Sequence, residues 1–193
     1  MERIEIGTQG FMYPMPMTLI GADLSDGPNF MPVAWINRVQ MSPARLACGI
    51  GKNHATSPGI REHQQFGVSI PSAAMVAVVD WCGLESAARG ADKAAEFTVV
   101  RGELEHAPMI EECPLTMECR LVQTVDLGTH ELFIAEIVAT WTEQRYLTAA
   151  GKPDVAKIQP FTLTMPDNRY WSVGEKLADA WSIGRSYIPG TGR

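Results

Sequence analysis

Residues Gly27–Pro71, GPNFMPVAWINRVQMSPARLACGIGKNHATSPGIREHQQFGVSIP, decide the fold. The stretch opens with a turn, Gly27-Pro28-Asn29-Phe30, and runs into a strand from Met31 to Asn37. Gln40-Met41-Ser42-Pro43 breaks that strand, and a short apolar strand follows at Leu46–Ile50. A glycine turn and the cluster Lys52-Asn53-His54-Ala55-Thr56-Ser57 then lead to a helix starting at Pro58, and a strand at Phe66–Ile70 closes the unit. A strand that hands hydroxyls, free amides and a nearby lysine to the start of a helix builds an anion site, because helix-start N–H groups lack intrahelical partners and carry partial positive charge. The group to expect there is a phosphorylated cofactor.

Around this unit the pattern stays β-rich. Met17–Ala22 reads as a strand, with Ser25-Asp26-Gly27-Pro28 as the turn out of it. Ser72 is placed to cap a helix over Ala73–Cys82 that presents Met75, Val76, Val79 and Cys82 to the core, with Gly83 as its terminal glycine. Glu85–Ala95, rich in small residues, reads as a loop with a helical turn. Leu115–Asp126 and Glu131–Trp141 form two long strands around a turn at Leu127-Gly128-Thr129-His130, a length that suits a barrel or a curling sheet. Phe161–Met165 is a last strand, Glu175–Trp181 a terminal helix, and Tyr187-Ile188-Pro189-Gly190 an irregular tail. Strands without regular βαβ alternation disfavour a doubly wound sheet, and neither a Gly-x-Gly-x-x-Gly nor a P-loop motif is present. The expected fold class is mainly β with appended helices.

At 193 residues the chain reads as a single domain, residues 1–193. A net charge of −6 argues against general nucleic-acid binding, which needs basic patches. Phe11–Gly21 is apolar, but Pro14 and Pro16 interrupt it and it falls short of the ~20 residues a membrane helix needs. No basic leader precedes a hydrophobic run, so a cytoplasmic location is expected. Cys48, Cys82, Cys113 and Cys119 lack any Cys-x-x-Cys pair and read as buried free thiols, and the four histidines form no metal-binding spacing. No metal site is expected.

The order Tyr13-Pro14-Met15-Pro16, Asn29-Phe30-Met31-Pro32-Val33-Ala34-Trp35, Ala47-Cys48-Gly49, Lys52-Asn53-His54-Ala55-Thr56, Asp92-Lys93 and Gly128-Thr129-His130-Glu131-Leu132-Phe133-Ile134 resembles the flavin reductase-like FMN-binding proteins, their flavoredoxin branch above all. The resemblance spans about Tyr13 to Gly184. It implies a split β-barrel, non-covalent FMN, and a homodimer whose second subunit helps to close the flavin site. Carried over, it sets Asn29, Phe30, Met31 and Trp35 near the flavin and Cys48 and Gly49 along the ring edge, mainly through backbone groups. Thr56, with the backbone of Lys52, Asn53, His54, Ala55 and on to Ser57, would hold the phosphate or ribityl chain, with Lys93 adding charge. His130 would reach the open side of the ring or a bound donor, as the one residue placed for a catalytic role, and Phe161 would pack on the flavin.

The residue types suit that cofactor: a phosphate close to dianionic recruits lysine, hydroxyls and a helix start, while a flat ring takes aromatic and small neighbours. Each also has a structural reading. Trp35 in a strand, Cys48 as a small hydrophobe, Thr56-Ser57-Pro58 as an ordinary helix start and Lys93 beside Asp92 as a solvated pair are all common arrangements. Three functions stand beside one another. The first is an FMN-dependent oxidoreductase drawing electrons from NADH or NADPH and passing them to a flavin, metal or protein acceptor. The second is an electron carrier between redox proteins that does not oxidise nicotinamide. The third is a barrel for another planar ligand such as haem, for which His54 or His130 would be the axial candidates.

Overall fold

The computed structural model describes residues 3–8 and 10–189. Its main element is a seven-stranded antiparallel sheet of β2 (Thr18–Leu24), β3 (Gly27–Val33), β4 (Ile36–Gln40), β5 (Arg45–Gly51), β6 (Gln65–Ile70), β9 (Leu115–Asp126) and β10 (His130–Thr142), in the order β3-β2-β6-β9-β10-β5-β4. β1 (Met15–Pro16) joins β11 (Phe161–Thr164) and β12 (Arg169–Ser172) in a smaller sheet, and β7 (Val99–Val100) pairs with β8 (Met109–Ile110). The helices are α1 (Thr56–His63), α2 (Val76–Leu84) and the single turn α3 (Val155–Ile158).

Alternation along the strands sets what each face buries. Leu46, Cys48 and Ile50 of β5 meet Ile20, Met31, Phe66, Val68, Cys119, Leu121 and Phe133 in one core enclosed by the curling sheet. Two register shifts in the β9–β10 ladder, at Ile134/Ala135 and Ile137/Ala139, add bend and twist that help it curl. Its outer strands β3 and β4 are not hydrogen-bonded to each other, so the barrel stays split. A second core lies outside β2 and β3, where α2 lays Val79 and Cys82 against Met17, Leu19, Phe30 and Phe161. The mainly β split barrel read from the sequence is the fold observed.

Gly21 of β2 stands opposite Gly67 of β6. A Cβ at either position would overlap the carbonyl oxygen of Pro108. The two bare glycines therefore let the segment before β8 lie directly on the sheet, a close approach that only glycine allows.

Several local expectations change. The strand at residues 31–37 is two strands: β3 already starts at Gly27, and the chain bends at Trp35, whose carbonyl accepts the Gly49 N–H at 2.8 Å. α1 begins at Thr56 and not at Pro58, so the proline sits inside its first turn, where its missing N–H costs nothing. Ser72 makes no capping bond, a 3₁₀ turn at Ala73–Met75 precedes α2, and Gly83 lies within α2. Glu175–Trp181 is not helical; it is exposed, irregular chain leading to a 3₁₀ turn at Ile183–Ser186. Seven residues without a face to bury cannot sustain a helix alone. Gly190 lies outside the described residues.

The four cysteines are buried and free, and no group of three or more His, Cys, Asp or Glu side chains could hold a metal among the described residues. No described helix is long and apolar enough to cross a membrane.

Candidate functional site

A cleft of about 370 Å³ lies between the edge of β3, the start of α1 and the segment after α2. Its walls include Asn29 and Met31 from β3, Asn53, His54, Ala55 and Thr56 at the entry to α1, and Arg89 and Lys93 from the far side. Asn29 and Thr56 are both buried, and the Asn29 Nδ2 donates to the Thr56 Oγ1 at 2.9 Å. The Asn29 Oδ1 is buried with no partner. No side chain caps α1 and its first turn holds no acidic residue, so the positive helix start forms a wall of the cleft without an internal counter-charge.

The charges here are mainly cationic and cramped, with Glu85 as the one carboxylate on the wall. Lys93 is only 5% exposed and donates to the Cys82 carbonyl at 2.7 Å. Burial lowers its pKa and Arg89 adds to the lowering, against a pull upward from Cys82 and Glu85. Burial likewise lowers His54, helped by Lys93 and His130. A cleft that strains toward losing protons is one that an anion relaxes.

Beyond His54 the site opens to an aromatic edge. His130, the first residue of β10, stands opposite Gly51 at the end of β5. A Cβ at Gly51 would lie 3.1 Å from the His54 ring and 3.7 Å from the His130 Nε2, so the two imidazoles meet over that glycine. The Trp35 ring is tilted 38° against His130 with centroids 5.1 Å apart, and its side chain is 46% exposed. Gly49 lies beneath Trp35.

Of the residues singled out in the sequence, Asn29, Met31, Asn53, His54, Ala55, Thr56 and Lys93 come together around the cleft, and Trp35, Gly49 and His130 stand at its aromatic end. Four sit elsewhere. Phe30 points to the opposite face from Asn29 and Met31, as strand alternation demands, and is buried edge-on against Phe97 in the second core. The Cys48 side chain faces the first core, where burial pushes its thiol up to about 12. Lys52 turns outward to Asp126 at 2.6 Å, pinning the tip of the β9–β10 hairpin to the end of β5. Phe161 is buried against Tyr170. Arg89 was not singled out; its signal was its position four residues before Lys93, inside a run of alanine and glycine.

The donor set fits a phosphorylated, hydroxyl-rich ligand: two cationic side chains, an uncapped helix start, a buried hydroxyl and an amide with one atom unmet. It is closer to a phosphate site than to a metal site, since Lys93, Arg89 and the α1 amides are donors and Glu85 is its one carboxylate. The family model described as flavin reductase like domain matches residues 10–157. The crystal structure of a flavoredoxin from Methanosarcina acetivorans is 44% identical, covers 96% of this chain and 99% of its own, and superposes with a TM-score of 0.93. Flavoredoxin of Desulfovibrio vulgaris is 33% identical over 95% of this chain and 100% of its own, with a TM-score of 0.88. An uncharacterised protein of Archaeoglobus fulgidus is 30% identical over 75% of this chain and 81% of its own. The chain belongs to the flavin reductase-like domain family.

Proposed function

We propose that the cleft binds FMN and that the protein is a flavin-dependent oxidoreductase, taking electrons from NADH or NADPH and passing them to a flavin, a metal complex or a protein. One observation carries this reading: in a chain of net charge −6, Lys93, Arg89 and His54 converge with the uncapped start of α1 on a single cleft. Bound there, a flavin supplies the two-electron chemistry, accepting reducing equivalents from one partner and yielding them to the next.

The chain's own residues bind and orient. Lys93 and Arg89 pair with the phosphate, and the α1 amides and the Thr56 hydroxyl complete its cradle. The Asn29 amide, buried at the cleft wall with its oxygen unmet, meets a ribityl hydroxyl. Trp35, Gly49 and His130 frame the ring, with the Trp35 edge left open to solvent for a donor. His130 acts there as a ring neighbour that can hold a proton at its Nε2. That open edge also serves the second reading, an electron carrier that meets protein partners directly and leaves nicotinamide untouched.

A second copy of the chain belongs to the proposal. Residues 173–189 are exposed throughout, with Leu177 wholly exposed and Trp181 93% exposed. Packing of that segment against a partner would bury apolar surface that a lone chain leaves in water.

Anaerobic titration followed by visible absorption tests the reading. Flavin bands bleached by NADH or NADPH support the oxidoreductase, and bands that yield only to dithionite or a reduced protein support the carrier. A protein that takes up no added FMN contradicts both.

A further inference from the structure

The tip of the β9–β10 hairpin is tied to the end of β5 through both the side chain and the backbone of Lys52. The Lys52 Nζ donates to the Asp126 Oδ1 at 2.6 Å, and the same oxygen accepts the Gly128 N–H at 2.7 Å. The Lys52 N–H donates to the Thr129 carbonyl at 3.1 Å. The bond from Lys52 foremost, and then that from Gly128, holds the Asp126 carboxyl below its usual range. The Lys52 and Asp126 side chains are 36% and 69% exposed, and an exposed ion pair adds little to stability. What this pair contributes is register, because it sets Thr129 and His130 beside Gly51.

The Thr129 Oγ1 lies 2.9 Å from the His130 Nδ1, and among the described residues that hydroxyl has no other partner. The Trp35 ring stands against the imidazole, and the Nε2 borders the bare space over Gly51 that the His54 ring also borders. Which imidazole nitrogen carries the proton is set by the bond the other one makes. Either Nδ1 accepts the hydroxyl proton and Nε2 keeps an N–H, or Nδ1–H donates to Oγ1 and Nε2 is left an acceptor. The first arrangement turns a donor toward a cleft whose Lys93 and Arg89 already select a ligand rich in acceptors. We propose that Thr129 is a positioning residue: its hydroxyl donates to the His130 Nδ1 and holds the imidazole in the tautomer whose Nε2–H faces the ring end of the cleft, while the Lys52–Asp126 pair keeps Thr129 in register for that bond. The inference rests on the flavin reading of the cleft. A flavin ring gains electron density on reduction, so a fixed N–H donor at its edge favours the reduced form over the oxidised one.

The test uses the full chain with isotope-labelled histidine. Nitrogen NMR of the flavin-free protein in alkaline buffer reads the His130 tautomer directly, its signals assigned by their loss in His130→Gln. The expected result is a wild-type His130 protonated at Nε2, a several-fold shift toward the Nδ1 tautomer in Thr129→Val, recovery in Thr129→Ser, and a smaller shift in Lys52→Met. With FMN bound, spectroelectrochemical titration gives the ratio of affinities for reduced and oxidised FMN. That ratio should fall several-fold in Thr129→Val and return in Thr129→Ser, with the affinity for oxidised FMN close to wild type. A loss of mere packing would not be restored by serine, which keeps the hydroxyl and drops the methyl group. Wild-type His130 protonated at Nδ1, a tautomer that Thr129→Val leaves unchanged, or an unchanged affinity ratio in the loaded protein each overturns the proposal. A tautomer that responds to Thr129→Val in a protein that takes up no FMN would keep the positioning contact and sink the flavin reading.

Discussion

The Asn29 Nδ2 donates to the Thr56 Oγ1 at 2.9 Å, joining β3 to the first residue of α1 across 27 positions of sequence. Both residues are buried at the wall of the cationic cleft. The bond fixes where the helix start sits, and thereby where its free amides gather around a phosphate. Loss of the Thr56 hydroxyl strands the Asn29 amide altogether, since its oxygen is already unmet. Thr56→Ala is therefore expected to weaken FMN binding about tenfold and to lower the melting temperature by a few degrees, measured by fluorescence titration and calorimetry.

Trp35→Leu removes the aromatic partner of His130 while leaving the phosphate cradle intact. FMN should still bind, with a shifted visible spectrum and an affinity reduced by a few-fold. An unshifted spectrum at normal affinity would remove Trp35 from the ring site.

Proton linkage singles out His54. Its pKa in the free protein is lowered by burial and by Lys93 and His130. A bound phosphate raises it again, so binding takes up a proton in the pH range between the two values, and affinity gains as pH falls through it. The phosphate's own titration near pH 6 acts in the opposite sense but equally in wild type and in His54→Gln. The difference between their affinity profiles should therefore grow from pH 8 downward; parallel profiles would exclude His54 from the phosphate's surroundings.

Glu118 has the opposite sign. It is fully buried, which alone would raise its pKa, but the N–H groups of Gly102, Glu103 and Leu104 and the Trp141 Nε1 all donate to it and hold it below the ordinary 4.5. A carboxylate lowered on folding contributes stability that is complete above its unfolded value and is lost as pH falls through its folded one. Glu118→Ala should cost about 3 kcal/mol at pH 7, and the gap to wild type should narrow in denaturant melts taken progressively below pH 4.5.

The opposed glycines give a test of the fold alone. Gly67→Ala forces the Pro108 carbonyl off the sheet and should cost about 2–3 kcal/mol in chemical denaturation without altering FMN affinity in the folded protein.

The strands were legible in the sequence because two-residue alternation and turn residues mark them directly, as at Leu46–Ile50 and Phe66–Ile70. The cleft was legible at Asn53–Thr56, where a glycine turn runs into a helix. The Phe30 side chain went astray because a run of neighbouring residues was assigned to one site, although alternate residues in a strand face opposite ways; the Cys48 side chain faces inward too, which leaves only its backbone for the ring edge. Lys52 was drawn off by Asp126, a residue 74 positions away that no local pattern connects to it. Arg89 went unnoticed because three-dimensional proximity to α1, not any motif of its own, brings it to the cleft. The terminal helix failed for want of a packing face, a property of the whole fold and not of its seven residues.

The central claim is that the Asn29–Thr56–Lys93 cleft holds the phosphate of a flavin. Fluorescence titration of the flavin-free protein with FMN and with riboflavin, in wild type and Lys93→Ala, measures that directly. The account predicts that FMN binds at least tenfold more tightly than riboflavin, and that Lys93→Ala removes most of this difference while leaving riboflavin affinity in place, in line with a charge-assisted bond of about 1.5–3 kcal/mol. Equal binding of FMN and riboflavin to the wild type, or an FMN preference untouched by Lys93→Ala, would contradict it.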